Sequence, residues 1–460
     1  MMRLSAIALW TRGHLHGADV EVLGVGIDTR RLRAGDLFVA VKGERVDGHD
    51  FLAQAAAAGA VAALVERRVD APIAQVVVND TQLALGDLAS AVRAQSNVRV
   101  VGITGSNGKT TVKTLTASIL SRHGRTHVNA GNYNNELGLP LTLLAMPQDT
   151  EYAVLEMGAG KPGDIAYLAA IARPDIGLVN TVAPAHLERM GSVEGVAETK
   201  GALYQALPAD GVAVINADDA FAKFFEGLAT GRRQLRFGLD HPAEVVADIL
   251  EQRVDGSRFL LATPAGDAEV NLPLAGRHNI GNALAAASLA LALDVPLATI
   301  VEGLEQVPGV AGRLKLERMP GGWTLIDDSY NANPGSVGAA IDTLALAQGE
   351  RWLVLGDMAE LGPDAKALHA GIGARARERG IDRLFAVGPL SAATVAAFGA
   401  NGEHHPDKAA LIASLKQHLH GGVTCLIKGS RSAGMEQVVA ALRNDSNRDN
   451  PRKEGTSDAA

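Results

Sequence analysis

The sequence predicts an α/β protein of three domains, and three observations carry that prediction. The chain has 460 residues, room for two to four domains at roughly 100–200 residues each. Apolar residues make up 47% of it and aromatics only 4%, a mixture suited to small helices packed on Val-rich strands. Short Val/Ile runs alternate with Ala/Leu-rich stretches of helical length, the pattern of a parallel sheet covered on both faces.

The first domain, residues 1–82, shows strands at 20–27, 37–41, 62–65 and 76–79 and one Ala-rich helix at 51–59. The second, residues 83–311, opens with a helix at 83–95 and a strand at 98–104. Strands at 152–156, 176–180 and 212–216 then alternate with helices such as 193–207, and the helix 279–293 closes the block. The third, residues 312–445, repeats the alternation on strands 323–327, 352–355, 384–387 and 424–427, an open Rossmann-like sheet. From about Asn444 the chain turns polar and loses apolar periodicity, so a disordered tail, 446–460, is expected.

Charge and cysteine usage exclude several classes. A net charge of −8 makes the chain a poor general nucleic-acid binder, since phosphate binding needs a concentrated basic surface. The single cysteine, Cys425, allows neither an internal disulfide nor a thiolate zinc site. Residues 1–10 are apolar but lack a secretory pattern, and no run approaches about 18 uninterrupted apolar residues. A soluble, cytoplasmic chain without stable membrane insertion is the expectation.

The strand at 98–104 runs into Gly105-Ser106-Asn107-Gly108-Lys109-Thr110-Thr111 and then a helix. Glycines let backbone N–H groups curl around phosphate oxygens. Lys109 offers a point charge to the β- and γ-phosphates, Thr110 can place its hydroxyl on Mg²⁺, and the helix N-terminus adds a positive dipole. The usual loop has four residues between its glycines; here only Gly105-x-x-Gly108-Lys109-Thr110 is plain. The bland alternative is a Gly-rich turn that caps a helix.

This variant loop, Thr104-Gly-Ser-Asn-Gly-Lys-Thr110, resembles that of the Mur ligase family, and matching segments recur in order over about residues 20–440. Four more segments resemble the branch of that family that adds D-alanyl-D-alanine in peptidoglycan synthesis: Gly131-Asn-Tyr-Asn-Asn-Glu-Leu-Gly138, Leu325-Ile-Asp-Asp-Ser-Tyr-Asn-Ala-Asn-Pro334, Leu355-Gly-Asp-Met-Ala-Glu-Leu-Gly362 and Lys428-Gly-Ser-Arg-Ser432. The diaminopimelate-adding branch carries other C-terminal signatures, among them an Asp-Asn-Pro-Arg motif. The resemblance implies that ATP converts a carboxylate of a UDP-MurNAc-tripeptide into an acyl phosphate, which the amine of D-Ala-D-Ala attacks. It also implies an N-terminal UDP-binding domain, two Mg²⁺ ions and a monomer.

Site residues follow from the same resemblance. The catalytic set is Lys109, Glu156, His186 and Lys200, with Thr110, Glu156, His186 and a carbamoylated Lys200 as metal ligands. A carboxylate such as Glu156 at the C-terminal end of a parallel strand faces the ligand crevice. Taken alone, His186 would be an ordinary loop histidine and Lys200 a solvated helical lysine. ATP binding is expected at Gly105 to Thr111, Asn279, Asn282, Arg313 and Asp328. Asn279 and Asn282 share one helix face and could read the adenine edge, or one could cap the helix. Adjacent carboxylates, Asp327-Asp328, suggest that one meets a ligand. Substrate contacts are expected at Thr29, Arg30, Lys42, Asp47 and His49, at Asn134 and Asn135, and at Tyr330 and Asn333. Competing readings are a family member adding a single amino acid or glutamate, a non-catalytic nucleotide-binding protein, and a kinase or transport ATPase.

Overall fold

The computed structural model describes residues 1–448 except 44, 185–186 and 310–311. Among the described residues three large sheets organise the chain, and Met2–Arg3 with Glu21–Val22 makes a fourth, two-stranded one. The N-terminal sheet has five strands in the order His14–His16, Ala74–Val77, Ala62–Val65, Asp36–Val39, Gly24–Gly26, all parallel except the first. The expected helix at 51–59 is a 3₁₀ turn, Gly48–Phe51, followed by the helix Leu52–Ala57. The apolar run at the N-terminus folds as the helix Leu4–Trp10, which buries Leu4, Ile7 and Ala8.

The central sheet has nine strands. Its parallel part runs Thr126–Val128, Tyr152–Glu156, Arg99–Thr104, Ile176–Val179, Val212–Asn216, Arg233–Gly238, Val245–Arg253. The four inner strands, from Tyr152–Glu156 to Val212–Asn216, are mostly apolar and buried because helices cover both faces. On one face the helices Lys109–Leu120, Arg277–Leu291 and Leu297–Glu305 pack over Val101, Ile103, Val154 and Leu178. On the other, Gly138–Leu144 and Asp164–Ala172 pack over Val100, Ala153 and Leu155. The edge differs from the expected alternation: Val245–Arg253, Gly256–Thr263 and Gly266–Leu272 form antiparallel hairpins.

The C-terminal sheet runs Lys315–Arg318, Thr324–Asp328, Val423–Lys428, Glu350–Gly356, Arg383–Val387, Gly402–His405, parallel except for the first strand. The last helix, Glu436–Arg448, runs past the start of the expected tail at 446, and the rest of that segment lies outside the described residues. No helix among the described residues is long and apolar enough to cross a membrane.

Candidate active site

Arg99–Thr104 pairs with Tyr152–Glu156 on one side and Ile176–Val179 on the other. Chain order reverses there, so the phosphate loop opens at the topological switch point of the sheet, where α/β folds bind ligands. Gly108 turns the loop with φ +81°, and a Cβ on it would lie 2.2 Å from Asn180 Nδ2 and 2.4 Å from Asn282 Oδ1. Only glycine meets both demands. Ser106 ties the loop to the next crossover: its N–H donates to Thr181 O at 2.7 Å and its hydroxyl to Ala183 O at 3.0 Å. Lys109 Nζ donates to Gly105 O at 2.7 Å. Burial lowers its pKa, with Glu156 opposing the shift.

Glu156 ends its strand and is 3% exposed. Its Oε2 accepts from the Thr110 hydroxyl at 3.0 Å and stands 3.3 Å from Lys113 Nζ; its Oε1 accepts from Asn134 Nδ2 at 2.8 Å. Burial alone would raise this carboxyl, but the charges of Lys109 and Lys113 and the two donated bonds outweigh it and hold the group below its ordinary value. Thr110 and Glu156 are hard oxygen donors side by side at the phosphate loop, an arrangement that fits a divalent cation. No cluster of three or more His, Cys, Asp or Glu exists among the described residues. Lys200 lines the same cavity as this pair. It is 3% exposed on the helix Val193–Gln205, and burial, with the charge of Lys109 second, pushes its amine down to about 7. His186 lies outside the described residues.

These groups line a cavity of about 440 Å³ that holds the loop 105–110, Glu156, Lys200, Asn134, Asn135, Arg313, Tyr330 and Asn333. A second cavity of about 660 Å³ adjoins it across Asn107 and Gly108, lined by Thr111, Asn279, Asn282, Arg313, Asp328 and Lys428. Asn279 does not cap its helix; Gly276 does. Asn282 Nδ2 donates to Asn279 Oδ1 at 3.0 Å, and Asn180 Nδ2 donates to Asn282 Oδ1 at 3.0 Å. The chain of amides therefore steadies the loop and leaves each amide further bonding capacity at the cavity wall.

Asp327 and Asp328 point to opposite faces of their strand, as successive residues must. Both meet cations of the protein itself, which corrects the expectation that one needs a ligand. Asp327 Oδ2 accepts from Arg443 at 3.0 Å; Asp328 Oδ2 accepts from Lys428 at 2.6 Å and lines the larger cavity. Arg313 lies over the Tyr330 ring, 4.3 Å from its centroid. Asn333 is shared between domains. Its Oδ1 caps the helix Pro334–Leu344 through Ser336 N–H at 2.9 Å, while its Nδ2 donates to Asn107 Oδ1 of the phosphate loop at 2.7 Å. Asn333→Ser keeps a capping oxygen and loses the bond to the loop. It is expected to raise KM for ATP about fivefold, with an unchanged thermal midpoint; steady-state kinetics beside a melting curve checks this.

The N-terminal residues are placed differently from expectation. His49 is 2% exposed and both ring nitrogens are engaged, Nδ1 with Asp47 at 2.6 Å and Nε2 with Glu66 N–H at 2.8 Å. Asp47 also accepts from Arg67 at 3.0 Å. This pair fixes a turn, and His49 is not available to a substrate. Arg30 is exposed and held bidentately by Asp28 at 2.8 and 2.9 Å. Lys42 is exposed and Thr29 half-buried; neither lines the two cavities. Three residues near the site were not legible in the sequence: Lys113, Asn129, whose side chain brackets the backbone of Glu156 at 2.8 and 2.9 Å, and Lys428. The expectation that this chain lacks the Asp-Asn-Pro-Arg tetrapeptide of the diaminopimelate-adding branch is corrected: it occurs at 449–452, outside the described residues, so it does not separate the branches.

Residues 21–93 match the family described as Mur ligase family, catalytic domain, residues 103–290 the Mur ligase middle domain, and residues 312–431 the Mur ligase, glutamate ligase domain. The chain is 46% identical over 443 residues to the UDP-N-acetylmuramoyl-tripeptide--D-alanyl-D-alanine ligase of Escherichia coli strain K12, covering 96% of this chain and 98% of that one. A crystal structure of MurF from Acinetobacter baumannii superposes with a TM-score of 0.90 at 37% identity, covering 96% and 98%. The MurF ligase from Thermotoga maritima in complex with ADP gives 0.83 at 28%, covering 94% and 100%.

Proposed function

The chain belongs to the Mur ligase family, and from that premise we propose that it is the ATP-dependent ligase that joins D-alanyl-D-alanine to UDP-N-acetylmuramoyl-tripeptide in the cytoplasmic stage of peptidoglycan synthesis. One observation carries the reading. The phosphate loop, the Thr110–Glu156 pair, Lys200 and the Asn134–Asn135 turn all face one cavity, which is what transfer of a phosphoryl group to a bound carboxylate requires.

In this reading the adenosine lies in the larger cavity and the phosphates pass over Gly108 into the smaller one. Lys109 leaves Gly105 O for the γ-phosphate, and Arg313 meets the nucleotide from the C-terminal domain. Divalent cations, when bound, screen the three anions and polarise the γ-phosphate. Thr110, Glu156, His186 and carbamoylated Lys200 are the ligands proposed for them. The terminal carboxylate of the tripeptide attacks the γ-phosphorus, ADP leaves, and the dipeptide amine displaces phosphate from the acyl phosphate to leave an amide. Closure of the C-terminal domain on the loop, through contacts such as Asn107–Asn333, excludes water that would hydrolyse the acyl phosphate. Domain limits at 82/83 and 311/312 and a monomeric state belong to the same proposal. Phosphate release that depends on the dipeptide tests it.

A further inference from the structure

The buried ammonium of Lys113, whose charge helps hold the Glu156 carboxyl below its ordinary value, has no assigned part in the reaction above. It lies one helical turn beyond Lys109 on the helix Lys109–Leu120 and is 6% exposed. It donates to the carbonyls of Asn129 at 3.1 Å and Gly131 at 3.2 Å and stands 3.3 Å from Glu156 Oε2. These three acceptors match its three N–H groups. A buried charge is costly even when fully bonded, and removing this one alone would leave buried Glu156 and two carbonyls without this partner. Its three bonds therefore tie those groups together as well as filling space.

The turn 129–136 aims Asn134 at Glu156 Oε1 and carries Tyr133, whose hydroxyl accepts from Arg31 of the N-terminal domain at 3.0 Å. Lys113 thus stands between the helix that begins at the phosphate loop and a turn that reaches both Glu156 and the N-terminal domain. No other side chain of that helix donates to the turn among the described residues.

We propose that Lys113 is a positioning residue that couples nucleotide at the phosphate loop to the turn 129–136, setting that turn and Glu156 for the UDP-linked acceptor. The proposal rests on the assignment of ATP to the phosphate loop. A shift of the helix on nucleotide binding reaches the turn through one ammonium with three directed bonds, which are stronger than neutral ones.

Hydrogen exchange on the full chain, with and without ADP and Mg²⁺, tests it. In the wild type, ADP is expected to slow exchange at 105–112 and also at 129–136. In Lys113→Met the first protection remains and the second is lost, and KM for UDP-MurNAc-tripeptide rises roughly tenfold. Lys113→Arg, which keeps the charge and donors, regains most of the second protection. Protection confined to 105–112 in the wild type overturns the coupling, and so does a Lys113→Met protein that still protects 129–136. Where Lys113→Met does not fold, Lys113→Gln, which keeps donors but no charge, takes its place with the same loss expected at 129–136, and retained protection there overturns the role of Lys113. Absence of protection at 105–112 overturns the nucleotide assignment, and the coupling with it.

Discussion

Lys109→Ala is expected to lower kcat by roughly 10³-fold or more while the protein stays folded. In the structure the ammonium makes one bond, to Gly105 O at 2.7 Å. Burial already disfavours its charge, so the fold loses little when the side chain is removed. Its contribution belongs to the reaction, where negative charge accumulates on the transferred phosphoryl group with no water to disperse it. Turnover assays and a thermal melt of the same preparation separate the two effects. Retained turnover would remove the phosphate loop from the mechanism.

Lys200→Met is expected to lower kcat by roughly 10²-fold or more, again without loss of fold. An amine pushed down to about 7 by burial and the neighbouring Lys109 is substantially neutral at pH 7–8, and only the neutral amine reacts with CO₂. The product carries one negative charge and can ligate a cation. The sign of the linkage supports a chemical role. A lysine whose folded pKa lies below its unfolded value opposes folding when charged, fully below about pH 7, and the cost is gone above the unfolded value. Methionine carries no such cost, so the variant is expected to be no less stable at neutral pH. Protein supplied with ¹³C-bicarbonate should show a carbamate carbon resonance that Lys200→Met lacks.

How much of this was legible in the sequence depends on whether the signal was local. The phosphate loop was legible because strand, glycines and helix are contiguous, and Glu156 because it ends an apolar strand. Both α/β sheets followed from apolar runs alternating with Ala/Leu helices. The hairpins from Val245 to Leu272 were not, because half-exposed strands of alternating polarity lack such runs. The Asn107–Asn333 bond joins residues 226 apart, a pairing that only the folded domains create. Lys113 and Lys428 read as ordinary lysines until burial and their carboxylate partners are seen. His49 was named on the resemblance alone, and in the structure its two nitrogens close a turn.

The central claim is that one cavity activates a carboxylate with ATP and passes it to a dipeptide. The direct measurement is phosphate release from ATP by the purified chain with Mg²⁺ and UDP-MurNAc-tripeptide, with and without D-Ala-D-Ala, and the mass of the product. The account predicts release that depends on the dipeptide and a product heavier by one dipeptide residue unit. Release with a single amino acid but not with D-Ala-D-Ala would contradict the proposed substrate, and no release with any amine would contradict the ligase reading itself.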